Sequence, residues 1–167
     1  MSEYNIRVLG ITDGKHNNSF TINREFFEAF NNSEIKNTTI LVDTILIKDG
    51  NKIKLNIKFD GHIHDLNCDL CASKINIKIK NSISIIIKIS DNENEDTDEI
   101  IYINSNQSFL DISQLIFEGI ELSIPNKIKH SGVNGDKCDK EMIKLINKYA
   151  QKEYNNPMRE ELNKLKI

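Results

Sequence analysis

The sequence predicts an α+β fold, an antiparallel β-sheet built from the N-terminal two thirds and packed with C-terminal helices. Two observations carry that expectation. Apolar and polar residues alternate with period 2 from Lys52 to Asp60 and again from Lys74 to Ile89, the pattern of strands with one buried and one wet face. From Asp111 onward the apolar spacing becomes three and four, as on amphipathic helices. Strands first and helices after is α+β order. The 167 residues fit a single domain, 1–167, long enough to bury a core.

In chain order, Tyr4 to Ile11 alternates and reads as a first strand, and 12–18 as a turn-rich loop. After the short extended piece Phe20-Thr21-Ile22, Asn23 is placed to cap a helix carrying Phe26, Phe27 and Phe30 against the sheet. The β-branched run 38–47 is followed by Asp49-Gly50, a hairpin signal. On the return strand Ile53, Leu55, Ile57 and Phe59 face one way and Lys52, Lys54, Asn56 and Lys58 the other. Continuing that parity turns Ile63 inward and His62 and His64 outward. Ile75, Ile77 and Ile79 hold one parity with Ile83, Ile85, Ile87 and Ile89, with a bend, a bulge or unbroken strand at Asn81-Ser82.

Asp91 to Glu99 holds six acids and no base, so it is expected as a mobile loop; Ile100 to Ile103 then forms a last short strand. Asp111 with Gln114 matches a capping box, ahead of the stripe Ile112, Leu115, Ile116, Ile120, with Pro125 as terminator. Residues 126–137 read as polar loop. Asp139 caps a helix with the stripe Met142, Leu145, Ile146, Tyr149, and Asn156-Pro157 opens a closing one.

Composition narrows the function classes. Apolar content of 38% and charged content of 28% suit a soluble globular chain, and a net charge of −3 does not suit a general nucleic-acid glue. No apolar run is long enough to span a membrane, and Met1 to Asn5 has no export-signal character. Three cysteines, an odd number, point to a reducing, cytoplasmic setting. Nineteen Lys against three Arg, with 29 Ile and 22 Asn, reflect A/T-rich codon usage, which weakens any single lysine as a functional signal. Charge is nevertheless split: residues 48–90 carry eight Lys against four Asp, and the next nine carry six acids.

Two groups of residues carry chemistry. Cys68-Asp69-Leu70-Cys71, with His130 and Cys138, offers the donors of a closed tetrahedral zinc site of structural type, set against three reduced cysteines with no metal role. A thioredoxin-like reading fails because the pair precedes a strand, not a helix. The second group is the outward lysines Lys52, Lys54, Lys58, Lys74, Lys78 and Lys80, which could track a phosphate backbone or simply wet the sheet. No phosphate loop, Gly-x-Ser-x-Gly or triad is present, so an enzyme is not expected.

The order of these pieces resembles the YceD family, the large ribosomal RNA subunit accumulation proteins, in a Bacteroidetes-like form. The matching pieces are Cys68-Asp69-Leu70-Cys71, the acidic 91–99, Asp111-Ile112-Ser113-Gln114-Leu115, Glu121-Leu122-Ser123-Ile124-Pro125, the polar Lys127 to Cys138, and Asn155-Asn156-Pro157-Met158-Arg159. Leu70 stands where the family usually has Arg, and Asn156 where it has Asp. The resemblance implies a ribosome-biogenesis factor that supports 23S rRNA accumulation by binding, not catalysis. Its partners would be an rRNA precursor or large-subunit assembly intermediate, or a ribosomal protein, with no membrane. The rival reading is a protein-interaction scaffold that uses the acidic loop or helical face and touches no RNA.

Overall fold

The computed structural model describes residues 3–30, 35, 37–92, 95–131 and 137–150. The elements in chain order are β1 (Asn5–Arg7), β2 (Gly14–Ile22), α1 (Arg24–Glu28), β3 (Asn37–Asp49), β4 (Lys52–Asn67), β5 (Lys74–Ile89), β6 (Ile100–Ile103), β7 (Phe109–Asp111), α2 (Ser113–Glu121) and α3 (Lys140–Ala150). Among the described residues most strand pairing is antiparallel, and α2 and α3 follow the last strand, so the α+β class holds. The chain divides into two compact units, one of 1–66 with 75–127 and one of 67–74 with 128–167.

In the larger unit five strands run in the order β2-β3-β4-β5-β6, and β1 pairs with β7 as a separate two-stranded piece. The long central strands follow the alternation. Ile53, Leu55, Ile57, Phe59 and Ile63 on β4, and Ile75, Ile79, Ile85 and Ile87 on β5, are buried, while the lysines between them are exposed. β5 keeps its parity through Asn81, whose amide donates to Gly119 O at 3.2 Å, so the strand runs through unbroken.

Three sequence expectations change. The strand expected over 4–11 shortens to three residues and lies outside the main sheet, held by β7 with Ile6 opposite Leu110. The segment 12–18 is mostly strand, because its backbone bonds to β3 from Gly14↔Lys48 to Ile22↔Ile40 and this pairing overrides poor local propensity. The strand expected as the last, β6, is followed by β7 and runs parallel to its neighbour, Ile86 opposite Ile100 and Ile89 opposite Ile103. A parallel neighbour needs a return connection, and the acidic segment supplies it. Its Asp91 accepts the Ser105 N–H at 2.9 Å and its Asp96 the Tyr102 N–H at 2.8 Å.

The helices of this unit are placed by aromatic and isoleucine contacts. Asn23 caps α1 as expected, its oxygen accepting from Glu25 N, and Phe26 and Phe27 are buried. Phe30, just past the helix, stacks on Phe117 of α2 at 4.3 Å. At α2 the expected capping box does not form: the N-cap is Ile112, which has no side-chain cap bond, Asp111 just before it accepts the Ser113 N–H, and Gln114 donates forward to Glu118. Ile112, Ile116 and Ile120 are fully buried. In the smaller unit Asp139 caps α3 by accepting from Glu141 N and Met142 N, as its position predicts. The closing helix expected after Asn156-Pro157 lies outside the described residues. Among the described residues no helix is long and apolar enough to cross a membrane.

Candidate metal centre and lysine face

The Cys-x-x-Cys segment folds as a tight turn between β4 and β5. The Cys68 N–H donates to Ser73 O at 2.9 Å, and the Ala72 N–H closes back on Cys68 O at 2.8 Å, with Ala72 in the left-handed region at φ 58°. Asp69, between the cysteines, acts as a clasp. Its N–H donates to Ile128 O at 2.8 Å and its carboxylate accepts the Ile128 N–H at 2.6 Å. That pair of bonds fixes the backbone two residues before His130. On the other side Cys138 directly precedes Asp139, whose own backbone N–H reaches the Cys71 sulfur.

Cys68, Cys71, His130 and Cys138 are thereby brought together, each offering one ligand atom, all within 4.8 Å of one another. The two cysteines of the turn are buried, and His130 and Cys138 are half-buried. The Cys68 and Cys138 sulfurs are 3.9 Å apart. Four ligands held at about 2.0–2.3 Å around a tetrahedral zinc stand roughly 3.5–3.8 Å from one another, so the cluster is slightly open relative to a closed site. The donor set of three thiols and one imidazole is one that soft, tetrahedral metals take.

The thiols are electrostatically unequal. Burial works to raise the Cys71 thiol, but hydrogen bonds from the Asp139 and Ser73 backbone, the Ser73 hydroxyl and Cys68 outweigh it and bring it down to about 6. Cys138 is pushed up to about 11, first by burial, then by its hydrogen bonds and charge repulsion with Cys71 and Cys68. One thiolate is stabilised by N–H donors, and its neighbour resists ionising beside it. A cation among the sulfurs would relieve that repulsion.

The lysine face belongs to the sheet of the larger unit. Lys52, Lys54 and Lys58 are exposed on the outward side of β4, and Lys78 and Lys80 on that of β5. Lys74 opens β5 but lies in the smaller unit, where its ammonium donates to Asn67 Oδ1 at 2.9 Å. The strand pairing adds Lys15 from β2: it lies opposite Ile47, which lies opposite Lys54. Lys15 and Lys58, with Asn56, Ser82 and Ser84, flank a groove of about 350 Å³ floored by Ile45 and Ile47. Acids temper this face, with Asp60 3.7 Å from the Lys78 ammonium and Asp43 opposite Lys58. The His62 and His64 rings lie nearly parallel with centroids 6.1 Å apart.

The sequence points to the four clustered residues Cys68, Cys71, His130 and Cys138 but gives no sign of the parts played by Asp69 and Lys15. Asp69 carried no signal beyond its place between two cysteines. Lys15 gives no signal because its polar segment has no strand pattern of its own and becomes strand only by pairing with β3.

A family model described as large ribosomal RNA subunit accumulation protein YceD matches residues 55–166. No significant match was found among curated proteins or among solved structures.

Proposed function

The chain belongs to the YceD family, and from that premise we propose that it supports large-subunit ribosomal RNA by binding a precursor of that RNA, with no chemical step of its own. The observation that carries the reading is the lysine face, where Lys15 on β2 and Lys58 on β4 border a groove with hydroxyl and amide groups and Lys54 lies in register with Lys15 across β3. Ammonium groups spaced across strands suit the phosphates of a folded or single-stranded RNA, and the apolar floor with its polar rim suits an unstacked nucleotide. Such a partner places the protein in the cytoplasm.

The Cys68, Cys71, His130 and Cys138 cluster is read as one structural zinc site. Three thiolates and an imidazole leave no open position for a catalytic water, and such an ion would join the turn that carries Cys68 and Cys71 to the polar segment and α3. The protein's own share is orientation: Asp69 holds the segment before His130, and backbone N–H groups hold the Cys71 sulfur.

The test is association with large-subunit precursor particles. A variant with Lys15, Lys54, Lys58 and Lys78 replaced by Glu should no longer co-sediment with them, while its thermal unfolding stays near wild type because the sites are exposed. With a model single-stranded RNA, removing four phosphate contacts should flatten the log affinity against log salt slope by about 3. Normal co-sedimentation of the Glu variant would move the partner surface off the sheet and favour a protein-interaction module.

A further inference from the structure

A second concave site, chemically unlike the lysine face, lies where the residues just ahead of β1 meet β2, α1 and the first residue of α2. It is a cavity of about 320 Å³ lined by the aromatic residues Tyr4, Phe26 and Phe30, by the acids Glu3 and Glu25, and by three neutral polar residues. The rings are mutually inclined. Tyr4 meets Phe26 edge to face at 4.9 Å and 79°, and Phe26 meets Phe30 at 5.1 Å and 46°. Among the described residues no lysine, arginine or histidine lines the cavity. The nearby Arg24 is already engaged by Glu28 at 2.7 Å. The acidic field is felt inside: burial, then the charges of Glu3 and Glu25, raise the Tyr4 hydroxyl above its ordinary value.

Aromatic faces under carboxylates attract an organic cation. The ring quadrupoles and the carboxylates both favour positive charge, and the three aromatic residues can pack along the stem that carries it. An anion is repelled. We propose that this cavity receives the guanidinium or ammonium group of an arginine or lysine side chain presented by a basic protein segment. The proposal does not depend on RNA binding, and the two surfaces would take partners of opposite charge.

The experiment titrates the full-length protein against a fluorescein-labelled Arg- and Lys-containing hexapeptide, read by anisotropy at low salt. Glu3→Gln with Glu25→Gln should weaken binding tenfold or more, and Phe30→Leu, which keeps the charge but removes a ring, should weaken it severalfold. Thermal unfolding of each variant verifies that it is folded. Glu95→Gln with Asp98→Asn, in the acidic segment outside the cavity, should change the affinity less than twofold. The proposal fails if the cavity variants bind like wild type, or if the loss follows the acidic segment instead. It also fails if spermidine displaces the peptide at equal concentration, because the site would then serve a free polyamine and not a side chain.

Discussion

The sulfurs of Cys68 and Cys138 lie 3.9 Å apart although seventy residues separate them. The cluster around them should hold one zinc per chain, measured by elemental analysis of protein purified without chelator. Cobalt in its place should give the ligand-field bands of a tetrahedral thiolate site. Cys138→Ser should remove most of the metal. Asp69→Ala, which touches no metal but frees the segment before His130, should weaken retention against a chelator about 10–100-fold. Metal-free wild-type protein that gives no tetrahedral cobalt spectrum would rule the site out.

Gly119 sits against the ring of Phe59, which is only 1% exposed, and a Cβ at Gly119 would run into that ring. Gly119→Ala should therefore destabilise the larger unit by about 1–3 kcal/mol, the usual cost of overpacking, read as a lower urea midpoint with unchanged slope. Phe59→Leu makes room, so the double variant should lose less than the sum of the two single losses. Additive losses would mean that the two positions are not in steric conflict.

Asp91 has a second measurable role. Its carboxylate accepts hydrogen bonds from the Ser105 backbone and side chain, which hold its pKa below the ordinary aspartate value. A depressed acid contributes stability above its unfolded-state pKa of about 3.9 and loses it as pH falls through the lower folded value. Asp91→Asn should accordingly melt earlier than wild type at neutral pH, and the two melting curves should converge in acid below that window. A gap that stays constant from pH 7 to pH 2 would assign the effect to something other than the carboxylate charge.

What could be read from the sequence follows from how local each signal is. The β4 face was legible because Ile53, Leu55, Ile57 and Phe59 alternate without exception, and period 2 is a property of one strand alone. The α3 cap was legible because Asp139 bonds to N–H groups two and three residues away. β2 was not, since Lys15 to Ser19 is polar throughout and becomes strand only by pairing with β3 some thirty residues on. The direction of β6 was equally hidden, because four apolar residues look the same parallel or antiparallel. At the metal cluster the donor types were visible, whereas the Asp69 clasp that brings the His130 segment to Cys68 is a tertiary contact with no local trace.

The pairing of β1 with β7 bears on how the protein is made. Ile6 on β1 is buried and lies opposite Leu110 on β7, about a hundred residues later. At a synthesis rate of roughly 5–20 residues per second, the first strand waits about 5–20 s for its partner to be translated. During that interval Ile6 and Val8 have no finished core to enter. The nascent chain therefore presents an apolar amino-terminal segment for seconds, long enough for a chaperone to engage it. Shifting β1 to follow β7 in a circular permutant should shorten that exposure and reduce aggregation during synthesis.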